Sequence, residues 1–313
     1  MIGIWKNFLL DKLAEWRLPA GGEWNFVLHN NYHPHCSNLN VMWFHNSGRF
    51  PRVVVKFCND PAQLKKEFEN IRRAHECAPA VVPNPLHFGP QGHLWGLWME
   101  GVPGSVLTTA KSYAPDVLHS LVDMVASLHA ALRRGLQELD MDRYQHMVQE
   151  PLEAVAQFGP SVAVKTGCSQ LAAAISAQWL NSLPVIPQHG DLYSGNILSH
   201  RDRFYVVDWE GFGAIDLPFY DLLTLLYSLL RGTGETPATW HSTLMNRFPS
   251  LIRSYAQRLN LTPADVSLLS PLALTNWFYL HLKEGRNEFT KDVYRTIQQY
   301  FENPEPWNRA FLS

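Results

Sequence analysis

The chain has 313 residues, 46% hydrophobic and 17% charged, so it can bury enough apolar surface to offset the entropy of ordering, which excludes intrinsic disorder. Its 26 Lys and Arg against 28 Asp and Glu leave a net charge of −2, which argues against bulk electrostatic capture of nucleic acid. No apolar run reaches the ~18 residues of a membrane span, and Cys36, Cys58, Cys77 and Cys168 form no CxxC pair, a usage that points to a reducing cytoplasm.

Trp5, Phe8, Leu9, Leu13 and Trp16 recur at helical spacing and predict an amphipathic helix within residues 1–22, ending near Pro19-Ala20-Gly21-Gly22. Lys6, Asn7 and Asp11 interrupt its apolar stretch, so no secretory signal is expected. Its polar face is not strongly basic, which favours docking on its own domain over a membrane surface. Phe26-Val27-Leu28, Leu39 to Phe44 and Arg52 to Phe57 read as strands of a meander. His33-Pro34-His35-Cys36 between the first two has ligand chemistry, but no second cluster completes a tetrahedral metal site. A helix is predicted over 61–76, with Pro61 in its first turn and Leu64, Phe68, Ile71 and Ala74 on one face. A Pro-broken stretch from Pro79 to Pro90 precedes a buried strand at Leu94–Met99. Beyond Gly101-Val102-Pro103-Gly104, helices are predicted at 115–133, 168–182, 217–231, 237–258 and 263–284, interrupted by a β-like island at 196–209. The fold class is therefore α+β and bilobal: a small antiparallel β-rich lobe over 23–100, a hinge at 101–104 and a mainly helical lobe over 105–313.

The island carries the chemistry. It reads Gln188-His189-Gly190-Asp191-Leu192-Tyr193-Ser194-Gly195-Asn196-Ile197-Leu198, and Val206-Val207-Asp208-Trp209-Glu210 follows on the far side of a hairpin. Two carboxylates and an amide in this order suit phosphoryl transfer: one carboxylate meets the attacking hydroxyl, while the amide oxygen and the second carboxylate hold Mg²⁺ against the phosphates. The five-residue step from Asp191 to Asn196 matches the catalytic loop of protein kinases.

The segments HGDLYSGNIL and VVDWEGFGAIDLPFYDLL resemble the aminoglycoside phosphotransferase and choline kinase type of family, small-molecule kinases with a protein-kinase-like fold. The resemblance implies an enzyme that moves a phosphate from ATP, or GTP, to the hydroxyl of a small molecule such as a sugar, an amino alcohol or an aminoglycoside. It assigns Asp191 as the catalytic base, Asn196 and Asp208 to Mg²⁺, and His189, His129, Asp216 and Asp221 to support of the loop, although Leu217 separates Asp216 from Pro218 where the family has an Asp-Pro pair. Lys56 looks like the family's nucleotide lysine and Glu67 its glutamate partner. Glu67 and Glu69 differ by about 200° around a helix, so only one of them can face Lys56. Met99, Glu100 and Val102 resemble the adenine-binding hinge, and Ser37-Asn38 the end of the phosphate loop. That loop, His29 to Asn38, holds no glycine, and the alternative this raises is a nucleotide-binding pseudokinase that serves as scaffold or regulator. A protein kinase fits less well, because Asp216-Leu217-Pro218 follows Asp208 too soon to leave room for an activation loop. Acceptor candidates are Glu210 and, in the C-terminal helices, Trp240, Trp277, Tyr279 and Glu284, among aromatic residues that are mostly expected to be core.

Overall fold

A computed structural model describes residues 2–33, 36–107, 114–134, 141–231 and 248–303. Helix α1 (Ile2–Lys12) opens the chain, followed by strands β1 (Trp24–His33), β2 (Cys36–His45) and β3 (Val53–Cys58), helix α2 (Pro61–Cys77), and strands β4 (Pro85–Gln91) and β5 (Leu94–Glu100). The five strands form one antiparallel sheet in the order β1-β2-β3-β5-β4. It departs from a simple meander because β5 inserts between β3 and β4. The second half of the Pro-broken stretch is in fact strand β4, which tolerates Pro85 and Pro90 because it lies at the sheet edge and is bulged between Pro85 and His87.

Strand alternation divides the work of the sheet's two faces. Val53, Val55 and Phe57 of β3 join Val41, Trp43 and Trp98 in a core closed by Trp5, Leu9 and Leu13, and Trp5 stacks on Phe57 with centroids 4.1 Å apart. The aromatic residues at the start of the chain are thus core. Lys56, between Val55 and Phe57, takes the opposite face and meets α2. That helix starts where Asp60 accepts the Ala62 N–H at 2.9 Å and Pro61 sets the first turn. It buries Leu64, Glu67, Asn70, Ile71 and Ala74. A second sheet, in the order β6-β7-β8, is made by β6 (Ser105–Val106), β7 (Ile197–His200) and β8 (Arg203–Val206). Met1–Val106 and Asn196–Gly211 make up the first of two units.

The second unit, Leu107–Gly195 and Phe212–Ser313, is helical. It contains α3 (Pro115–Leu132), α4 (Met141–Tyr144), a π-turn (Gln145–Gln149), α5 (Glu150–Phe158), α6 (Val162–Ala174), α7 (Ala177–Ser182), α8 (Tyr220–Arg231), α9 (Pro249–Arg258), α10 (Pro263–Lys283) and α11 (Asn287–Glu302). The single helix predicted over 168–182 is two, because Ser176 adopts extended backbone and caps α7 by accepting the Trp179 N–H at 3.0 Å. Of the helix predicted over 237–258, residues 237–247 lie outside the described residues, and α9 is the remainder. Helices α4, α5 and α11 were not foreseen. In α8, Leu222, Leu223, Leu225, Leu226, Leu229 and Leu230 are all buried. Among the described residues, no helix is long and apolar enough to cross a membrane.

Candidate active site

In the first unit, Lys56 Nζ donates to both oxygens of Glu67, each at 2.9 Å, and to Asp208 Oδ1 at 2.8 Å. Glu67 is 1% exposed, whereas Glu69 faces solvent, so the rotation of α2 selects Glu67 as the partner. Burial opposes the Lys56 ammonium, but the charges of Glu67 and Asp208 outweigh it and hold the lysine above its usual pKa. Burial also pushes Glu67 up to about 7, against the pull of Lys56.

Asp208 sits just past β8 with a left-handed φ of 69°, a conformation Asp tolerates better than most residues. Asn196 sits just before β7 and is buried, and its carbonyl accepts the Val207 N–H at 3.0 Å. The hairpin ends, and with them Asn196 and Asp208, are thereby tied together. Asn70 of α2 donates to the Trp209 carbonyl at 3.0 Å, fixing the segment that carries Asp208 and Glu210. Carboxylate oxygens of Glu67, Asp208 and Glu210 lie within 4.8 Å of one another, a hard-oxygen set of the kind that suits Mg²⁺.

In the second unit, the loop bearing Asp191 is held by buried Asp221, at the start of α8. Its carboxylate accepts the His189 N–H at 2.6 Å, the Gly190 N–H at 3.1 Å and, from α3, His129 Nε2 at 3.2 Å. The His129 tautomer follows from this. Nε2 carries the proton toward the carboxylate, so Nδ1 accepts from Tyr255 Oη at 2.6 Å, and Tyr255 in turn accepts the Phe219 N–H at 3.2 Å. Gln188 Oε1 completes the set by accepting the Asp221 N–H at 3.0 Å. His189 Nδ1 accepts the Asp191 N–H at 3.3 Å, so this ring orients the loop from within.

Asp216 lies beside the entry to this loop, its carbonyl accepting the Ile186 N–H at 3.2 Å, and its carboxylate is gripped by Arg143 Nε at 3.0 Å to each oxygen, while Arg143 Nη1 donates to the Leu180 carbonyl at 2.9 Å. Trp277 and Tyr279 of α10 do not converge. Trp277 stacks on Tyr227 at 5.8 Å and meets Phe289 at 5.2 Å, whereas Tyr279, about 200° round the helix, donates to Glu150 at 2.7 Å. Glu284 pairs with Arg286 at 2.9 Å. Trp240 lies outside the described residues. Ser37 and Asn38 pair with Tyr32 and Asn31 in the β1–β2 ladder. Met99 and Glu100 end β5, where the Glu100 N–H donates to the Asn84 carbonyl at 2.8 Å, and Val102 is buried just beyond. Sequence reasoning missed Gln188, Arg143 and Tyr255 as supports, since their partners are remote in sequence.

Lysine, glutamate and hairpin aspartate thus meet in one cluster on an α+β chain, and the family and fold matches make it a small-molecule phosphotransferase. Residues 36–249 match the Phosphotransferase enzyme family, and the chain belongs to that family. Its members transfer phosphate to hydroxyl groups. Among solved structures, the chain is similar to a choline/ethanolamine kinase family protein from Mesorhizobium loti, at 18% identity, 97% of each chain covered and a TM-score of 0.57. It is also similar to a protein described as a putative fructosamine-3-kinase from Thermobifida fusca, at 15% identity, 93% of this chain and 99% of that one, with a TM-score of 0.55. A glucosamine kinase in complex with glucosamine, ADP and inorganic phosphate shares 18% identity over 98% of this chain and 87% of its own, with a TM-score of 0.54. These likenesses bear on the fold. No curated protein matches the chain.

Proposed function

We propose that the protein is an ATP- and Mg²⁺-dependent kinase that phosphorylates a hydroxyl of a small molecule, with Asp191 as the proton acceptor. The observation that carries this reading is the buried Lys56 held between Glu67 and Asp208, since a lysine kept charged and oriented is what nucleotide phosphates require. Lys56 would fix the α and β phosphates, and Glu67 would keep it aimed. Met99, Glu100 and Val102 would meet the adenine through backbone groups, and Ser37 and Asn38 would contact phosphate. Asn196 and Asp208 would hold the divalent cation, which when bound neutralises phosphate charge. Asp191 orients the acceptor hydroxyl and takes its proton as the oxygen bonds to the γ-phosphorus and the bond to the ADP oxygen breaks. The Asp221 network supports that role by fixing the peptides on either side of His189.

ADP release from MgATP or MgGTP, measured over a panel of sugars, amino alcohols and aminoglycosides, tests the reading. Acceptor-dependent turnover is expected, with Asp208→Asn lowering it by roughly 100-fold or more. Undiminished turnover in that variant, or no acceptor-dependent ADP across the panel, would overturn it.

A further inference from the structure

Asp191 and Asn196 bracket a stretch of loop that carries no charge of its own: Leu192, Tyr193, Ser194 and Gly195. Leu192 is fully buried, and its carbonyl accepts from Thr224 Oγ1 at 3.3 Å. The Ser194 N–H donates to Ser228 Oγ at 3.3 Å, and a tight turn follows over Ser194–Asn196. Both anchors belong to α8, the helix whose Asp221 holds the peptides around His189. Between them Tyr193 is 43% exposed, while Asp191 is half-buried. The ring has a fixed seat on that surface. A β-carbon at Gly195 would stand 2.7 Å from Tyr193 Cζ and 2.9 Å from Oη, so the phenol lies against the glycine's bare α-carbon. Gly195 is not among the left-handed glycines, so it is the ring, rather than the backbone, that requires glycine here.

A single exposed apolar side chain is ordinary on a protein surface; this one is set apart by its place and its fixed pose. Two residues span at most about 7 Å, so an acceptor whose hydroxyl meets Asp191 reaches the ring within the width of one small molecule. The ring offers an apolar face and a hydroxyl at its tip, and half-exposed Ser194 adds a second hydroxyl beside it. No cation stands in this stretch to hold an acidic group. An ammonium brought within about 4–6 Å of Asp191 would weaken that carboxylate as a base. A neutral ring bearing hydroxyls meets all of these demands. Its C–H face covers the aromatic face, and its edge hydroxyls reach Asp191 and the phenol with no flexible chain to freeze. We infer that Tyr193 binds and orients the acceptor, and that the acceptor is a cyclic sugar stacked on its ring. The inference rests on the kinase reading above, of which it names the acceptor class and the residue that selects it.

The test sets cyclic sugars (glucose, galactose, mannose, ribose and N-acetylglucosamine) against sorbitol, choline and ethanolamine. Turnover is read as ADP release from MgATP, and binding by ligand-observed saturation-transfer NMR in the presence of ADP. Preference for a cyclic sugar is expected, with saturation passing most strongly to the C–H protons of one of its faces. Tyr193→Ala should raise that sugar's KM about 10–100-fold and leave the KM for ATP unchanged, and Tyr193→Trp should recover most of the loss. Gly195→Ala, which keeps the phenol but pushes it off its seat, should raise the same KM. Preference for sorbitol, choline or ethanolamine, or a sugar KM unmoved by either Tyr193→Ala or Gly195→Ala, would overturn the inference. Tyr193-dependent binding of a sugar without phosphorylation of any compound would uphold it while refuting the kinase reading. Neither binding nor turnover of any sugar in the panel would overturn it.

Discussion

Replacing Asp221 by alanine removes the acceptor for three buried donors at once: the N–H groups of His189 and Gly190, at 2.6 and 3.1 Å, and His129 Nε2 at 3.2 Å. A buried donor left without a partner costs about 1–3 kcal/mol. Allowing for relaxation and for the desolvation that the carboxylate no longer bears, the variant should lose about 3–5 kcal/mol. At about 2–4 °C per kcal/mol for a chain of this size class, Tm should fall by roughly 10 °C. Asp221→Asn keeps one acceptor oxygen but turns an amide N–H₂ toward a donor, so an intermediate loss is expected. Calorimetry gives the Tm, and hydrogen exchange at the His189 and Gly190 amides reports on the loop itself. An Asp221→Ala protein that melts with the wild type and protects both amides equally would refute the argument that this carboxylate holds the loop.

Burial holds Glu67 up at about 7 in the folded chain, above the ~4.3 of a free glutamate. In metal-free buffer the folded state thus takes up a proton as pH falls from about 8 to 5, so this group favours the fold at the acid end and loses that contribution as pH climbs through its folded value. Glu67→Gln should flatten the Tm profile across that window; an unchanged slope contradicts the assignment. Burial pushes the Cys168 thiol up to about 12, while Cys77 is exposed. Iodoacetamide followed by peptide mapping should therefore label Cys77 and spare Cys168 until denaturant is added, and equal labelling would count against the burial argument. Trp5→Ala should cost about 3–5 kcal/mol in urea denaturation, because Trp5 stacks on Phe57 inside the sheet core; a loss under about 1 kcal/mol would show that α1 is dispensable to that core.

Much of the candidate site was legible because its signals are local. The Asp191-to-Glu210 run places its residue types at fixed steps along one hairpin, and helical rotation alone decides that Glu67 and Glu69 cannot both face Lys56. The Lys56 strand was readable from the three valines that bury it. What stayed hidden depends on remote partners. Strand β4 was obscured by prolines that only an edge position excuses. Trp277 and Tyr279 both read as acceptor contacts, yet two positions along a helix sends them to different neighbours, Tyr227 and Glu150. Glu284 reads in sequence as an acceptor contact, while its ion pair with Arg286 depends on a turn whose geometry the sequence does not announce.

The most direct test of the central claim follows the γ-phosphate of radiolabelled ATP onto an alcohol acceptor, in wild type and in Asp191→Asn. The account predicts a labelled phosphate ester from the wild type and a loss of about 10²–10⁴-fold in the variant, with ATP binding retained. Transfer at the wild-type rate by Asp191→Asn would contradict it.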